Sequence, residues 1–152
     1  MEGDFFEGLV IRSLSSGDLD AIVEIDRKVL GKVRQDFWKN KIELPNPRYP
    51  FSGLVAVLNG KVIGFILGEV SGWEFGIPET VGWISTIGVD PDYQHKGVAR
   101  KLSEEFIKNL KSIGVSVVYT LVNWSDWDLL KFFHAMGFTR GGEMINLELK
   151  IG

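Results

Sequence analysis

Val89-Asp90-Pro91-Asp92-Tyr93-Gln94-His95-Lys96-Gly97-Val98-Ala99 is the stretch on which the reading of this chain turns. An apolar run ends at Val89, Asp90-Pro91 breaks it, a glycine follows, and helical periodicity starts at Val98. The first N–H groups of a helix have no intrahelical partner, and its dipole is positive there. A strand–loop–helix junction of this kind suits an anion, and two linked phosphates fit it well. Gly97 lets a ligand approach the backbone closely, while Lys96 and Arg100 put cations beside it. Read for structure alone, the same residues make an ordinary turn with an exposed basic pair.

Working outward, Thr80 to Val89 reads as a strand of alternating large and small residues. Upstream, Leu54 to Leu58 and Val62 to Val70 flank Asn59-Gly60, the pair favoured in a two-residue hairpin turn with positive φ at both positions. Leu9 to Leu14 reads as another strand. Ser15 with Asp18 forms a capping box ahead of a helix carrying Leu19, Ile22, Val23, Asp26 and Val29, stopped by Gly31. A second helix is expected over about Gln35 to Glu43, ended by Pro45, Pro47 and Pro50.

Downstream, Val98, Leu102, Phe106, Leu110 and Ile113 share one side of a helix running from Gly97, with Glu104 and Lys108 paired on the other. Val115 to Val122 is a β-branched run, as in a buried strand. Ser125 with Asp128 suggests a further capping box before a helix through Leu129, Leu130, Phe133 and Met136, closed by Gly137. Gly141-Gly142 makes a turn, and Met144 to Ile151 alternates like a final strand, one available to pair with a second chain. The strands at 80–89 and 115–122, joined through a helix, are expected to be parallel neighbours. The class is α+β.

The 152 residues are 45% hydrophobic and 24% charged, which suits one globular domain over 1–152. A net charge of −3 argues against a dedicated nucleic-acid binder. The absence of cysteine excludes disulfides, thiolate metal sites and a cysteine nucleophile. His95 and His134 have no metal-ligand partners at suitable spacing, so no metal is expected. Met1 to Gly8 lacks a basic signal-like region, and no apolar run approaches the roughly 20 residues that span a bilayer. The expected location is the cytoplasm, with no membrane partner.

Gln94-His95-Lys96-Gly97-Val98-Ala99 resembles the Gln/Arg-x-x-Gly-x-Gly/Ala signature of the GNAT superfamily, the acyl-CoA-dependent N-acyltransferases. The preceding Ile87 to Tyr93 is similar to that family's strand-to-loop segment. Asn123 followed by Phe132-Phe133-His134-Ala135-Met136-Gly137-Phe138 resembles its Asn…Phe-Tyr-x-x-x-Gly-Phe segment. The resemblance implies a mostly antiparallel sheet of about seven strands with about four helices, splayed between its two parallel central strands. It implies acetyl transfer from acetyl-CoA to a primary amine by direct attack in a ternary complex.

The implied cofactor-binding residues are Ile87, Gly88 and Val89 along the pantetheine arm and the amides of Gln94, His95, Lys96, Gly97, Val98 and Ala99 on the pyrophosphate. Lys96 or Arg100 would meet the adenosine phosphates, and Asn123 would reach the arm from the next strand. The chain departs from the family where Phe133 replaces the tyrosine acid, so water or unassisted departure serves the thiolate. The base position in some relatives aligns with Trp83. Glu69, Glu74 and Glu79 are the alternatives, and Ser85 could hold a relay water. Each also reads as an ordinary surface or packing residue. Trp38, Trp73 and Phe75 are candidates for an aromatic wall facing the acceptor, and a flat aromatic face also suits an amine cation. Two other readings compete: a CoA-binding sensor without transferase activity, and a nucleotide-binding protein of another kind, which the missing Lys-Ser/Thr of a P-loop disfavours.

Overall fold

The computed structural model describes residues 6–43, 53–72, 80–142 and 145–152. The chain divides into two compact units, Met1–Leu121 and Val122–Gly152. In the larger one, strand β1 (Leu9–Ser13) leads into Ser15, whose N–H donates to Asp18 Oδ2 at 2.8 Å, the reciprocal half of the expected capping box. Helix α1 (Leu19–Leu30) and helix α2 (Gln35–Glu43) follow. Then come β2 (Gly53–Leu58), β3 (Lys61–Gly72), β4 (Thr80–Val89), helix α3 (Val98–Ser112) and β5 (Val118–Thr120).

Sheet order matches chain order, β1-β2-β3-β4-β5. The first three pairings are antiparallel and β4–β5 is parallel, as the intervening helix requires. Asn59 and Gly60 turn the β2–β3 hairpin with φ of 49° and 84°, the left-handed pair a type I′ turn demands. The fold is thus the expected mixed α+β sheet, with five strands among the described residues rather than seven.

One face of the sheet carries α1 and α2. Ile22, Ile25, Trp38, Ile42, Val55 and Phe65 form a buried cluster there, with Trp38 edge-on to Phe65 at 5.0 Å between centroids. On the other face lies α3, with Val98, Leu102, Phe106 and Leu110 buried. The sheet makes room for α3 by omitting side chains beneath it. A Cβ at Gly64 would stand 3.1 Å from Val98 Cγ1, one at Gly82 2.5 Å from Leu110 Cδ1, and one at Gly68 would collide with the Phe106 ring. Helix and strands approach closely because these three positions lack side chains.

β5 is shorter than the β-branched run suggested. Its ladder with β4 covers Gly82–Val118, Trp83–Tyr119 and Ile84–Thr120. At the end of that ladder the Thr120 hydroxyl donates to the Ile84 carbonyl at 3.0 Å, so a side chain takes over where backbone pairing stops.

In the smaller unit, helix α4 (Trp127–Ala135) is capped by Asp126, whose Oδ1 accepts from Leu129 N at 3.1 Å. The expected Ser125 cap is corrected: Ser125 instead donates through N and Oγ to Asn123 Oδ1, at 3.0 and 2.7 Å. Phe133 is buried between the edges of Phe132 and Phe138. The expected strand at 144–151 is also corrected, since residues 145–152 pair with no strand among the described residues.

Candidate active site

The junction after β4 is built around Asp90. Its carboxylate is 2% exposed as a residue, accepts from Asp92 N at 3.0 Å and meets Lys28 Nζ at 3.1 Å. Burial alone would push this carboxyl up, but the Asp92 N–H and the Lys28 ammonium outweigh it and hold it below the usual carboxylate range. This pair ties the start of the loop to α1. Gln94 closes the loop from the other side, its Nε2 donating to the Val89 carbonyl at 3.1 Å.

Two left-handed residues follow, His95 at φ 63° and Gly97 at φ 90°. Left-handed residues among successive turns gather backbone N–H groups into anion-binding concavities. His95, Lys96 and Gly97 are exposed. Gly97 caps α3 with its backbone, and its carbonyl accepts from Lys101 N at 3.0 Å. The N–H groups of the first helical turn before Lys101 therefore remain without a helical acceptor. Arg100, exposed, pairs with Glu104 at 3.1 Å. That pairing replaces the expected partnership of Glu104 with Lys108 as the contact the structure records.

Immediately upstream, β4 offers an open edge. Asp90 N donates to Ile63 O at 2.8 Å, and the register places Val89 opposite Gly64, Gly88 opposite Phe65 and Ile87 opposite Ile66. Antiparallel alternation then turns the polar groups of Gly88 toward β3 and those of Ile87 and Val89 away from it. The parallel ladder with β5 ends at Ile84, so beyond that point this side of β4 has no strand partner among the described residues. Of the three residues expected along the arm, Ile87 and Val89 present backbone to the open edge, and Gly88 spends its own on β3. The Val89 carbonyl is held by Gln94, which leaves the Val89 N–H and both Ile87 groups.

The register also shifts at Leu67/Gly68: Leu67 pairs with Thr86 and Gly68 with Ile84, so Ser85 is the extra residue of a bulge. A bulge bends its strand and re-aims side chains, and sequence pattern alone gave no sign of it. Ser85 is exposed. Next to it, Glu69, Trp83 and Tyr119 occupy directly opposed positions on β3, β4 and β5 and hence one row on one face. Glu69 is exposed, and Trp83 lies 5.1 Å from Tyr119 between ring centroids. Tyr119 was missed by sequence reading, because nothing local announces that its ring meets Trp83 across a parallel pair.

Trp38 is corrected as an acceptor wall. It is fully buried in the core under α1 and α2, where no acceptor reaches it. Beside it the Asp26 carboxyl is held low, mainly by Arg34, at 2.8 and 2.7 Å; the indole N–H adds to this without forming a well-aligned hydrogen bond. Trp73, Glu74, Phe75 and Glu79 lie outside the described residues. Trp127 is 69% exposed. It lines an open hollow of about 610 Å³ in the smaller unit, together with Asn123, Ser125, Asp126 and Asp128.

Residues 19–138 match the model of the acetyltransferase (GNAT) family, and the chain belongs to that family of acetyltransferases. It is 27% identical over 128 residues to the ribosomal protein bS18-alanine N-acetyltransferase of Escherichia coli strain K12, covering 84% of this chain and 79% of that one. It is 24% identical over 147 residues to an N-alpha-acetyltransferase of Saccharolobus solfataricus, covering 91% and 85%. Among solved structures, an aminoglycoside N-acetyltransferase, AAC(6')-Iy, in complex with CoA superposes with a TM-score of 0.78 at 17% identity, over 94% of this chain and 95% of that one. No helix among the described residues is long and apolar enough to cross a membrane.

Proposed function

We propose that this chain moves an acetyl group from acetyl-CoA to a primary amine by direct attack in a ternary complex. The observation that carries the reading is the pairing of two features in sequence: an open β4 edge at Ile87 and Val89 runs straight into the left-handed turn at 95–97 and the start of α3. A linear ligand with amides at one end and phosphates at the other satisfies both. The amides of His95 through Ala99 hold the pyrophosphate, the Gln94 N–H being spent on the Pro91 carbonyl, and Lys96 adds charge. Ile87 and the Val89 N–H pair with the pantetheine amides, replacing the strand partner that β4 lacks there. Asn123 keeps its oxygen on Ser125, so only its NH₂ is left to donate.

An acceptor ammonium with a pKa of about 10.4 must lose a proton before it attacks the thioester carbonyl. Glu69 takes this role in our reading, which its register opposite Trp83 supports, and Ser85 at the neighbouring bulge orients a relay water. The amine nitrogen then forms the new C–N bond as the C–S bond breaks. The thiolate leaves without a side-chain acid from position 133, because Phe133 carries no proton to give. With no cysteine in the chain, an acyl-cysteine intermediate has no residue to form on.

The acceptor is a small amine, an amino-acid derivative or a protein amine. The names of the two curated relatives, one acting on a protein alanine and one an N-alpha-acetyltransferase, put a protein α-amine first for testing. The family match crosses residue 121, which supports one functional domain over 1–152. The cytoplasm as its location belongs to the same reading. The test is thiol release from acetyl-CoA with a panel of N-terminal-alanine peptides, aminoglycosides and simple amines. Turnover on at least one acceptor is expected. Tight acetyl-CoA binding with no turnover on any of them would leave a CoA-binding module, and no binding at all would remove the site.

A further inference from the structure

Phe6 precedes β1, yet its ring stands on the turn at Gly97. A Cβ built on Gly97 would lie 3.1 Å from Phe6 Cζ and 3.9 and 4.0 Å from its two Cε atoms, so the ring meets the glycine tip first. Lys101, whose N–H donates to the Gly97 carbonyl one turn into α3, lays its Nζ over the same ring at 5.4 Å from the centroid. The chain behind Phe6 is held in place. Asn59 N donates to Gly8 O at 3.4 Å, and a Cβ at Gly8 would stand 2.6 Å from Asn59 Oδ1, so Gly8 lies directly on the β2–β3 hairpin turn. The same hairpin reaches the loop, with Lys61 Nζ 5.3 Å from the centroid of the Tyr93 ring.

The ring has no polar group to offer a ligand, so any effect on binding runs through what it touches. Gly97 sits at φ 90°, and a glycine takes left-handed and right-handed conformations about equally well. Freezing such a residue only when the ligand arrives costs affinity, whereas a turn already fixed binds without that cost. A ring tip packed against Gly97 restricts it while leaving its N–H untouched. Lys101 gains in the same way. Its ammonium rides on a flexible four-carbon stem, and the ring face holds that charge beside the start of α3. We propose that Phe6 is a positioning residue for coenzyme A, fixing Gly97 through its tip and the Lys101 ammonium through its face. This rests on the reading that the pyrophosphate occupies this turn.

The experiment titrates CoA into the whole chain by calorimetry, with acetyl-CoA kinetics alongside. Phe6→Ala should raise the Kd for CoA about five-fold or more and the KM for acetyl-CoA in parallel, with kcat at saturating acetyl-CoA unchanged. Phe6→Leu, which keeps apolar bulk but has no ring face, should fall between Phe6→Ala and the wild type. Lys101→Met should raise the Kd on its own, and by a smaller factor when added to Phe6→Ala, because the ammonium has already lost its seat. Without ligand, amide hydrogen exchange at 95–98 should speed up in Phe6→Ala while that of residues 102–110 holds, which a general loosening of the fold would not give. A wild type that binds no CoA would remove the phosphate reading of the turn itself. A wild type that binds CoA, beside a Phe6→Ala variant that binds it equally well, would overturn this proposal alone. So would a fall in kcat with KM unchanged, or an undiminished effect of Lys101→Met in the Phe6→Ala background.

Discussion

Gly97 allows a quantitative test of the phosphate turn. Its φ of 90° lies where an L side chain is strained by about 1–2 kcal/mol. A Cβ there would also stand 3.1 Å from Phe6 Cζ, close enough that the ring must give by a few tenths of an ångström. Gly97→Ala should therefore lower the melting temperature by roughly 2–8 °C for a chain of this size, at about 2–4 °C per kcal/mol. Gly97→Glu adds the same strain and one negative charge. Against a phosphate at about 4 Å, that charge is worth about 4 kcal/mol at an effective dielectric of 20 and about 1 kcal/mol in water. The turn is exposed, so the lower half of that range applies, about 5- to 60-fold in affinity. Isothermal titration with CoA should thus show Gly97→Glu binding at least 5-fold more weakly than Gly97→Ala, with the gap narrowing at high salt. Equal CoA affinity in the two variants, alongside the expected fall in melting temperature, would refute the placement of phosphate on this turn.

Other expectations follow from the same geometry. Lys28→Met removes the ammonium from buried Asp90 and should weaken CoA binding with little loss of secondary structure, read by titration and circular dichroism. Glu69→Gln should lower kcat by about 10²- to 10⁴-fold if the carboxylate takes the amine proton, with the KM for acetyl-CoA unchanged. Asp18, Asp26 and Asp90 all have carboxyls held below their ordinary values, Asp18 chiefly by its two bonds to Arg12. Their stabilisation is complete above the unfolded carboxylate pKa of about 3.9 and is lost as pH falls through the folded values. Melting temperature should hold from pH 7 to about 5 and drop steeply below about 4. Phe106→Ala, which empties the fully buried seat of α3 over Gly68, should cost about 3–5 kcal/mol in chemical denaturation.

What was legible in the sequence was what short-range chemistry controls. The Asn59-Gly60 turn, the Ser15–Asp18 reciprocal bond and the limits of α2 and β4 follow from turn residues, caps and hydrophobic period within a few positions, and the parallel placement of β4 and β5 follows from the helix between them. The left-handed turn at Gly97 was legible too, since that glycine and the start of α3 are adjacent in the chain. Failures have a common cause. Ser125 looked as good a cap as Asp126, and only the position of Asn123 Oδ1 decides which side chain is spent elsewhere. Trp38 looked like a pocket residue because a tryptophan in a weakly amphipathic helix does not reveal which face is inward.

The sequence by itself determined the elements from β1 to β5, their order and the glycine turn ahead of α3, because each rests on local backbone preference. Tertiary structure decided the rest. It made Ser85 a bulge, turned Ile87 and Val89 rather than Gly88 to the open edge, and aligned Glu69, Trp83 and Tyr119 in one row. Those outcomes depend on register between strands distant in the chain. A one-residue change of register reverses which face and which edge every group presents.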